Sequence, residues 1–253
     1  MTVGARFERL QLRTTDVAAA RAFYAELLGP DPLGRRDDVD RLDIALLPEA
    51  ARARGAVPHW LGHLGVDDVE ATARVSCAAP CASGRRPRRR RRRPAAVAIL
   101  RDPGGAIVAP GAARRSVLAA DADPARGRRP PPAHARRGRA LEDYAALFGW
   151  SVTGRLDLGP LGVFHQFAWQ PGGPTVGAMV DVAGRVGVHT HWLFHFPIAA
   201  LDPALERVRA AGGLVIGPVA LPDGGRVAVC DDPQGAAFAL RETPGPSRAA
   251  DLL

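Results

Sequence analysis

Lysine and asparagine are missing from this 253-residue chain, and all 34 of its basic residues are arginine. That bias points to GC-rich coding rather than to a function. Cysteine is scarce. Cys77, Cys81 and Cys230 cannot build a disulfide framework, so a reducing compartment is expected. Cys77 and Cys81 have a spacing that suits a metal, but no second ligand pair follows them, so an incidental pair is the simpler reading. No apolar run approaches the roughly 20 residues of a membrane span. The opening MTVGARFERL lacks the apolar core of a secretory leader. These absences lead us to expect a cytoplasmic protein with no membrane partner. Apolar residues at 47% and charged residues at 24% exclude a wholly disordered or collagen-like chain. The length suits two small domains or one large one.

The positive charge is local. Residues 75–139 carry 17 arginines against three acids, Asp102, Asp121 and Asp123, whereas the remainder carries 17 against 23. The net charge of +8 therefore belongs to one quarter of the chain. That quarter holds GRRPRRRRRRP (84–94) and PARGRRPPPAHARRGRA (124–140). Like charges interleaved with proline repel one another and cannot bury a core, so these stretches are expected to be solvated or disordered. Clustered arginine can also neutralise phosphates, which makes a nucleic-acid partner one alternative. However, no aromatic residue is interleaved for base stacking.

Self-similarity is the strongest signal. His59-Trp60-Leu61-Gly62-His63 recurs as His191-Trp192-Leu193-Phe194-His195. Val97–Ala106 recurs as Val227–Ala236, and Tyr24–Gly29 as Tyr144–Gly149. The blocks keep their order, so two homologous domains are expected. The first spans 1–112, with 75–94 aberrant, and the second spans 141–246. An aberrant segment, 113–140, lies between them, and 247–253 forms a tail.

Each block has a local reading. Thr15-Asp16 suits a helix N-cap, because a short oxygen side chain accepts free N–H groups of the first turn. Ala20, Phe23, Tyr24, Leu27 and Leu28 then form one apolar stripe, and Gly29 with Pro30 ends the helix. A strand over Phe7–Leu12 precedes it. Asp102-Pro103-Gly104-Gly105 and Asp232-Pro233-Gln234-Gly235 read as turns of β-hairpins. A second helix is expected over Asp202–Ala211, with Leu205 and Val208 inward and Gly212-Gly213 closing it.

Leu12–Asp16 followed by Ala22–Gly29 resembles the first module of the vicinal oxygen chelate superfamily, which includes glyoxalase I, bleomycin resistance proteins and extradiol dioxygenases. Trp60–Val69 and Asp102–Gly105 resemble its second module. Tyr144–Trp150, Thr190–Leu201 and Asp232–Gly235 repeat the match. The resemblance implies an α+β fold of tandem glyoxalase-like domains. Each domain would comprise paired βαβββ modules forming a curved sheet around a cavity.

Enzymes of this superfamily usually hold a divalent metal with His and Glu on strands facing that cavity. By the resemblance, the first-strand ligand falls at Arg9. The ligand on the strand opening the second module falls at Leu61 and Leu193, and the last-strand Glu at Ala109 and Ala239. None of these side chains coordinates a metal, and only Asp43 offers a nearby carboxylate. No cofactor is therefore expected, with a divalent metal at other positions as the alternative.

Residues two apart on a strand share a face. His59, Leu61 and His63 then line one face, as do His191, Leu193 and His195, and these six are the candidate cavity residues. Histidines four apart on a strand lie about 13 Å apart, while Zn–N bonds are about 2 Å. Neither pair alone clasps a metal. Imidazole also suits ligand recognition or acid–base work near neutral pH. Trp60 and Trp192 fall on the opposite face and read as core.

The expected function is binding of a small organic molecule, as in the glyoxalase and bleomycin resistance type. The alternatives are a lyase, isomerase or dioxygenase of the same superfamily, and an arginine-rich nucleic-acid binder. Segments 75–94 and 113–140 interrupt the repeat where a helix end, glycine turn and strands belong. Out-of-frame translation of GC-rich coding would account for both, since Arg codons of the CGG type read as Gly or Ala in the other frames; the sequence leaves open whether the segments are genuine.

Overall fold

The computed structural model describes residues 5–29, 43–66, 69, 99–101, 106–112, 132–134, 139–159, 162–181 and 191–242. The Cys77–Cys81 pair, the 84–94 arginine run and the Asp102–Gly105 turn lie outside the described residues.

The first half supplies β1 (Arg6–Thr14), α1 (Val17–Leu28), β2 (Asp43–Leu46), α2 (Glu49–Arg52), β3 (His59–Val66), β4 (Leu100–Arg101) and β5 (Ile107–Ala112). The second supplies β6 (Pro132–His134), α3 (Arg139–Phe148), β7 (Ser151–Asp157), β8 (Val163–Ala168), β9 (Gly177–Asp181), β10 (His191–Trp192), β11 (His195–Ile198), α4 (Leu201–Ala210), β12 (Leu214–Ala220), β13 (Arg226–Asp231) and β14 (Ala237–Glu242). Three sheets result, of orders β2-β1-β3-β5-β4, β10-β6-β9-β8-β7 and β11-β14-β13-β12. This is a mixed α+β fold of the kind the resemblance implies. Among the described residues no helix is long and apolar enough to cross a membrane.

Local chemistry explains the helices. Asp16 accepts from the Ala19 N–H at 2.9 Å and caps α1, while Gly29 closes it at φ +80°, where a Cβ is unfavourable. The predicted stripe is buried at Ala20, Phe23, Tyr24 and Leu27. Helix α4 buries Leu201, Ala204, Leu205 and Val208 and ends before Gly212 (φ +86°). The Asp232–Gly235 turn joins β13 to β14 as expected, with Asp231 opposite Ala237.

The chain packs as two compact units. Unit 1 comprises Met1–Gln11 with Leu61–Trp192, and unit 2 comprises Leu12–Trp60 with Leu193–Leu253. The divisions fall inside β1, inside β3, and between β10 and β11. Each unit has an aromatic core. In unit 1, Phe7, Tyr144, Trp150, Phe167 and Trp192 pack together, with Tyr144 and Trp192 ring centroids 5.5 Å apart. In unit 2, Phe23, Tyr24, Trp60, Phe196 and Phe238 do so, with Tyr24 and Trp60 5.2 Å apart. The Tyr–Trp edge-to-face contact thus recurs with the sequence block that carries it, and both tryptophans are core.

Two sequence expectations need correction. The sequence of 113–140 gives no strand pattern, yet β6 lies within it, parallel to β9 and antiparallel to β10. Three residues beginning with proline are too short to show an alternation. His191–His195 was expected to continue one strand face. Instead β10 ends at Trp192, β11 begins at His195, and they belong to different sheets. Trp192 and Phe194 are buried at 3% and 0% exposure, but in the cores of different units, so the chain changes sheet between them.

Candidate functional site

In unit 1 the site forms on β1 and β3. β3 runs parallel to β5, with His63 opposite Ala109. His63 is buried, and the Arg9 guanidinium reaches it from β1. Its Nη2 lies 3.1 Å from Nδ1 and 3.2 Å from Nε2 of the imidazole. A guanidinium only donates, so the ring nitrogen it serves acts as an acceptor. Leu61 is also fully buried. Glu8 lies across Gly65, where a Cβ would come within 2.1 Å of its carboxylate oxygen. Only glycine leaves room for that carboxylate, two residues along β3 from His63. Glu8 was not picked out from sequence, because its neighbour Arg9 occupies the position the resemblance marks.

In unit 2 the corresponding place is built from sheet β11-β14-β13-β12. His195 lies opposite Ala239 on parallel strands, and Pro197 lies opposite Arg241. His195 and Arg241 are therefore diagonal neighbours on one sheet face. The antiparallel ladders add Val229 opposite Ala239, Val227 opposite Arg241, and Ile216 opposite Val229 to that face. Phe196, Phe238, Leu240, Ala228 and Cys230 alternate with these residues and are buried at 1% or less. One face is thus core. The other carries half-buried valines and Ile216, which is 71% exposed.

The polar groups on this second face are few. Arg241 is ion-paired to Asp223 through Nη2. Its Nε is buried without a hydrogen-bond partner, and so is His195 Nε2. Burial first, and the nearby Arg241 charge second, push the His195 imidazole down to about 3, so it is neutral. His59, also in unit 2, is lowered as well, chiefly by burial. Its Nδ1 lies 2.7 Å from the Val57 carbonyl, so it donates there and leaves Nε2 as an acceptor. Leu193 and His191 are half-buried, and His191 lies opposite Ala133. Cys230 is no nucleophile: burial, then Asp231, pushes its thiol up to about 12.

The side chains at the positions the resemblance marks for ligands are not metal donors. The positions that should ligate are Arg9, Leu61 and Ala109 in unit 1, and Leu193 and Ala239 in unit 2. Among the described residues no group of three or more His, Cys, Asp and Glu side chains could hold a metal ion. In both units an arginine places fixed positive charge near the histidine opposite that alanine. Arg241 was missed from sequence, although strand alternation places it two residues beyond Ala239 on the same face.

No family model matches the chain. It is 26% identical to CFP32 of Mycobacterium bovis, which carries a provisional glyoxylase designation, across 94% of this chain and 95% of that one. The Mycobacterium tuberculosis protein of the same name matches equally. Among solved structures, a variant of homoprotocatechuate 2,3-dioxygenase from B. fuscum superposes with a TM-score of 0.56 at 14% identity, over 99% of this chain and 75% of that one. A trihydroxybiphenyl 1,2-dioxygenase from Sphingomonas wittichii gives 0.55 at 13%, over 96% and 91%. The 2,3-dioxygenase LapB from Pseudomonas gives 0.53 at 13%, over 100% and 98%. At these identities the structural likeness is one of fold.

Proposed function

We propose that this chain, which resembles the vicinal oxygen chelate superfamily in its sequence motifs and its fold, binds a small organic molecule without the metal centre usual in that superfamily. One observation carries this reading. The guanidinium of Arg9 lies against the His63 ring, opposite the alanine that stands at the expected carboxylate position. A cation brought there would meet a fixed positive charge and no anionic ligand at that position. In unit 2 the charge of Arg241 also acts on the histidine opposite the alanine, although less closely, which supports the reading. The open face of β11-β14-β13-β12, apolar with few polar groups, suits an organic ligand. These features favour binding of the bleomycin-resistance type over metalloenzyme chemistry on the same fold.

An enzyme is the second reading, favoured by the full-length likeness to CFP32. His59, with Nδ1–H held by Val57 and Nε2 left to accept, has the form of a general base. A thermal-shift screen of the full-length chain against a small-molecule library, followed by turnover assays on each hit, separates the readings. We expect saturable stabilisation by at least one compound with no product formed after prolonged incubation. Turnover abolished by His59→Gln would establish the enzyme instead. A library that leaves the melting temperature unchanged throughout would contradict both.

A further inference from the structure

The face of β11-β14-β13-β12 carries two buried nitrogens without partners, His195 Nε2 and Arg241 Nε. They stand on adjacent strands, one diagonal step apart in the parallel register. Neither satisfies the other. A buried polar group without a partner is destabilising, the more so where the group is charged. Two on one face indicate that a shared acceptor belongs between them. Arg241 can only donate, through Nε–H. A neutral imidazole carries one N–H, which can reside on Nε2, so both nitrogens can point hydrogens at the same acceptor. Val227 and Val229 beside them are half-buried, and Ile216 beyond them is exposed, an apolar stretch with Asp223 and Asp231 at its margins.

We infer that unit 2 holds a subsite for a monocarboxylate with an apolar body, one carboxylate oxygen accepting from His195 Nε2–H and Arg241 Nε–H while the body lies on Val227, Val229 and Ile216. The inference rests on the small-molecule reading above and names the ligand class for that site. A carboxylate is favoured because Arg241 supplies a charged donor, and charge-assisted hydrogen bonds are about twice as strong as neutral ones. Asp223 already shares the guanidinium through Nη2, so it competes with the ligand for that charge. Asp231, opposite Leu214 and Ala237 on the same face, sets a limit on how much negative charge the site accepts. One carboxylate fits that balance better than a dianion. Neither nitrogen is open to solvent.

The probes are phenylacetate, its neutral isostere phenylacetamide, and the dianion phenylmalonate, titrated calorimetrically into the full-length chain. Phenylacetate should bind at least tenfold more tightly than either comparator. Arg241→Gln and His195→Phe should each weaken it by tenfold or more, with circular dichroism melts showing that both variants fold. Asp223→Asn keeps the Oδ1 that accepts from the Gly225 N–H at 3.1 Å and removes the competing charge. It should tighten phenylacetate several-fold, a change that a purely structural role for Arg241 would not produce. Equal binding of acid and amide overturns the carboxylate assignment, and unchanged affinity in Asp223→Asn overturns the role of Arg241. If phenylacetate fails while other compounds from the library bind, this subsite is wrong and the small-molecule reading stands. A stoichiometric bound metal would defeat that reading itself.

Discussion

The Tyr24 hydroxyl donates to Asp232 Oδ2 at 3.0 Å and accepts from Trp60 Nε1–H at 3.1 Å, which ties helix α1 to the β13–β14 turn 208 residues away in sequence. Asp232 Oδ1 meanwhile accepts from the Gln234 and Ala236 N–H groups, both at 2.9 Å. Burial is the largest influence on both titrating groups, raising the carboxyl of Asp232 and raising Tyr24 well above its ordinary value. Tyr24 therefore stays a phenol and a donor. This buried chain of hydrogen bonds is structural.

Tyr24→Phe deletes the shared hydroxyl and leaves both Trp60 Nε1–H and Asp232 Oδ2 buried without it. A loss of about 1–3 kcal/mol is expected for each orphaned group. Equilibrium urea unfolding of the variant beside the parent measures it, and an unchanged midpoint would show that the network contributes nothing.

Two glycines should respond differently to a methyl group. A Cβ at Gly213 would lie 2.5 Å from the Asp231 carbonyl and 2.8 Å from a Val208 methyl, so backbone must move. A Cβ at Gly65 meets only the end of the Glu8 side chain, which can swing away. Gly213→Ala should cost about 1–3 kcal/mol or more. Gly65→Ala should cost well under that, while displacing the Glu8 carboxylate from β3. Thermal melts of the two variants decide it, and equal losses would contradict the geometry.

His195 sets part of the acid stability. Its imidazole falls from the ordinary 6.5 to about 3 in the fold, so the native ring is neutral where the unfolded ring takes up a proton. The stability it contributes is complete above pH 6.5 and drains as pH drops toward 3, at up to about 1.4 kcal/mol per unit. His59 and Glu242, both lowered, act in the same direction, whereas Asp232, raised, acts against it. His195→Gln should flatten the decline in unfolding free energy between pH 6.5 and 4. A variant with the parent's slope would show that the ring is not buried neutral.

Much of this was legible in sequence because the signals are local. Asp16 caps and Gly29 stops a helix whose stripe repeats every three to four residues, and Asp232-Pro233-Gln234-Gly235 spells its own turn. Other features were hidden for physical reasons. β6 is too short to carry a period. The break after Trp192 is hidden because Trp192 and Phe194, two residues apart as on one strand face, are buried in the cores of different units. The Arg9–His63 contact joins residues 54 positions apart, and no spacing rule reaches that far. Arg241 lies within reach of the alternation rule, but a cation at that place carries no metal-ligand signal.

The two arginine-rich segments make a prediction at the level of the gene. Read in the alternative frames, the coding sequence across 75–94 should yield an Ala- and Gly-rich helix end and strand resembling 207–225. The coding sequence across 113–140 should likewise yield a counterpart of Phe7–Arg21. Nucleotide sequencing checks this directly, and alternative frames that restore neither would dismiss it.

The central claim is that arginine charge stands where this fold usually keeps a cation. Elemental analysis of the purified full-length chain, by inductively coupled plasma mass spectrometry after dialysis against excess manganese, iron or zinc, is the most direct test. Well below one divalent ion per chain is expected, and Arg9→Ala should not raise it. One tightly held ion per chain, lost on replacing His63 or His195, would contradict the account.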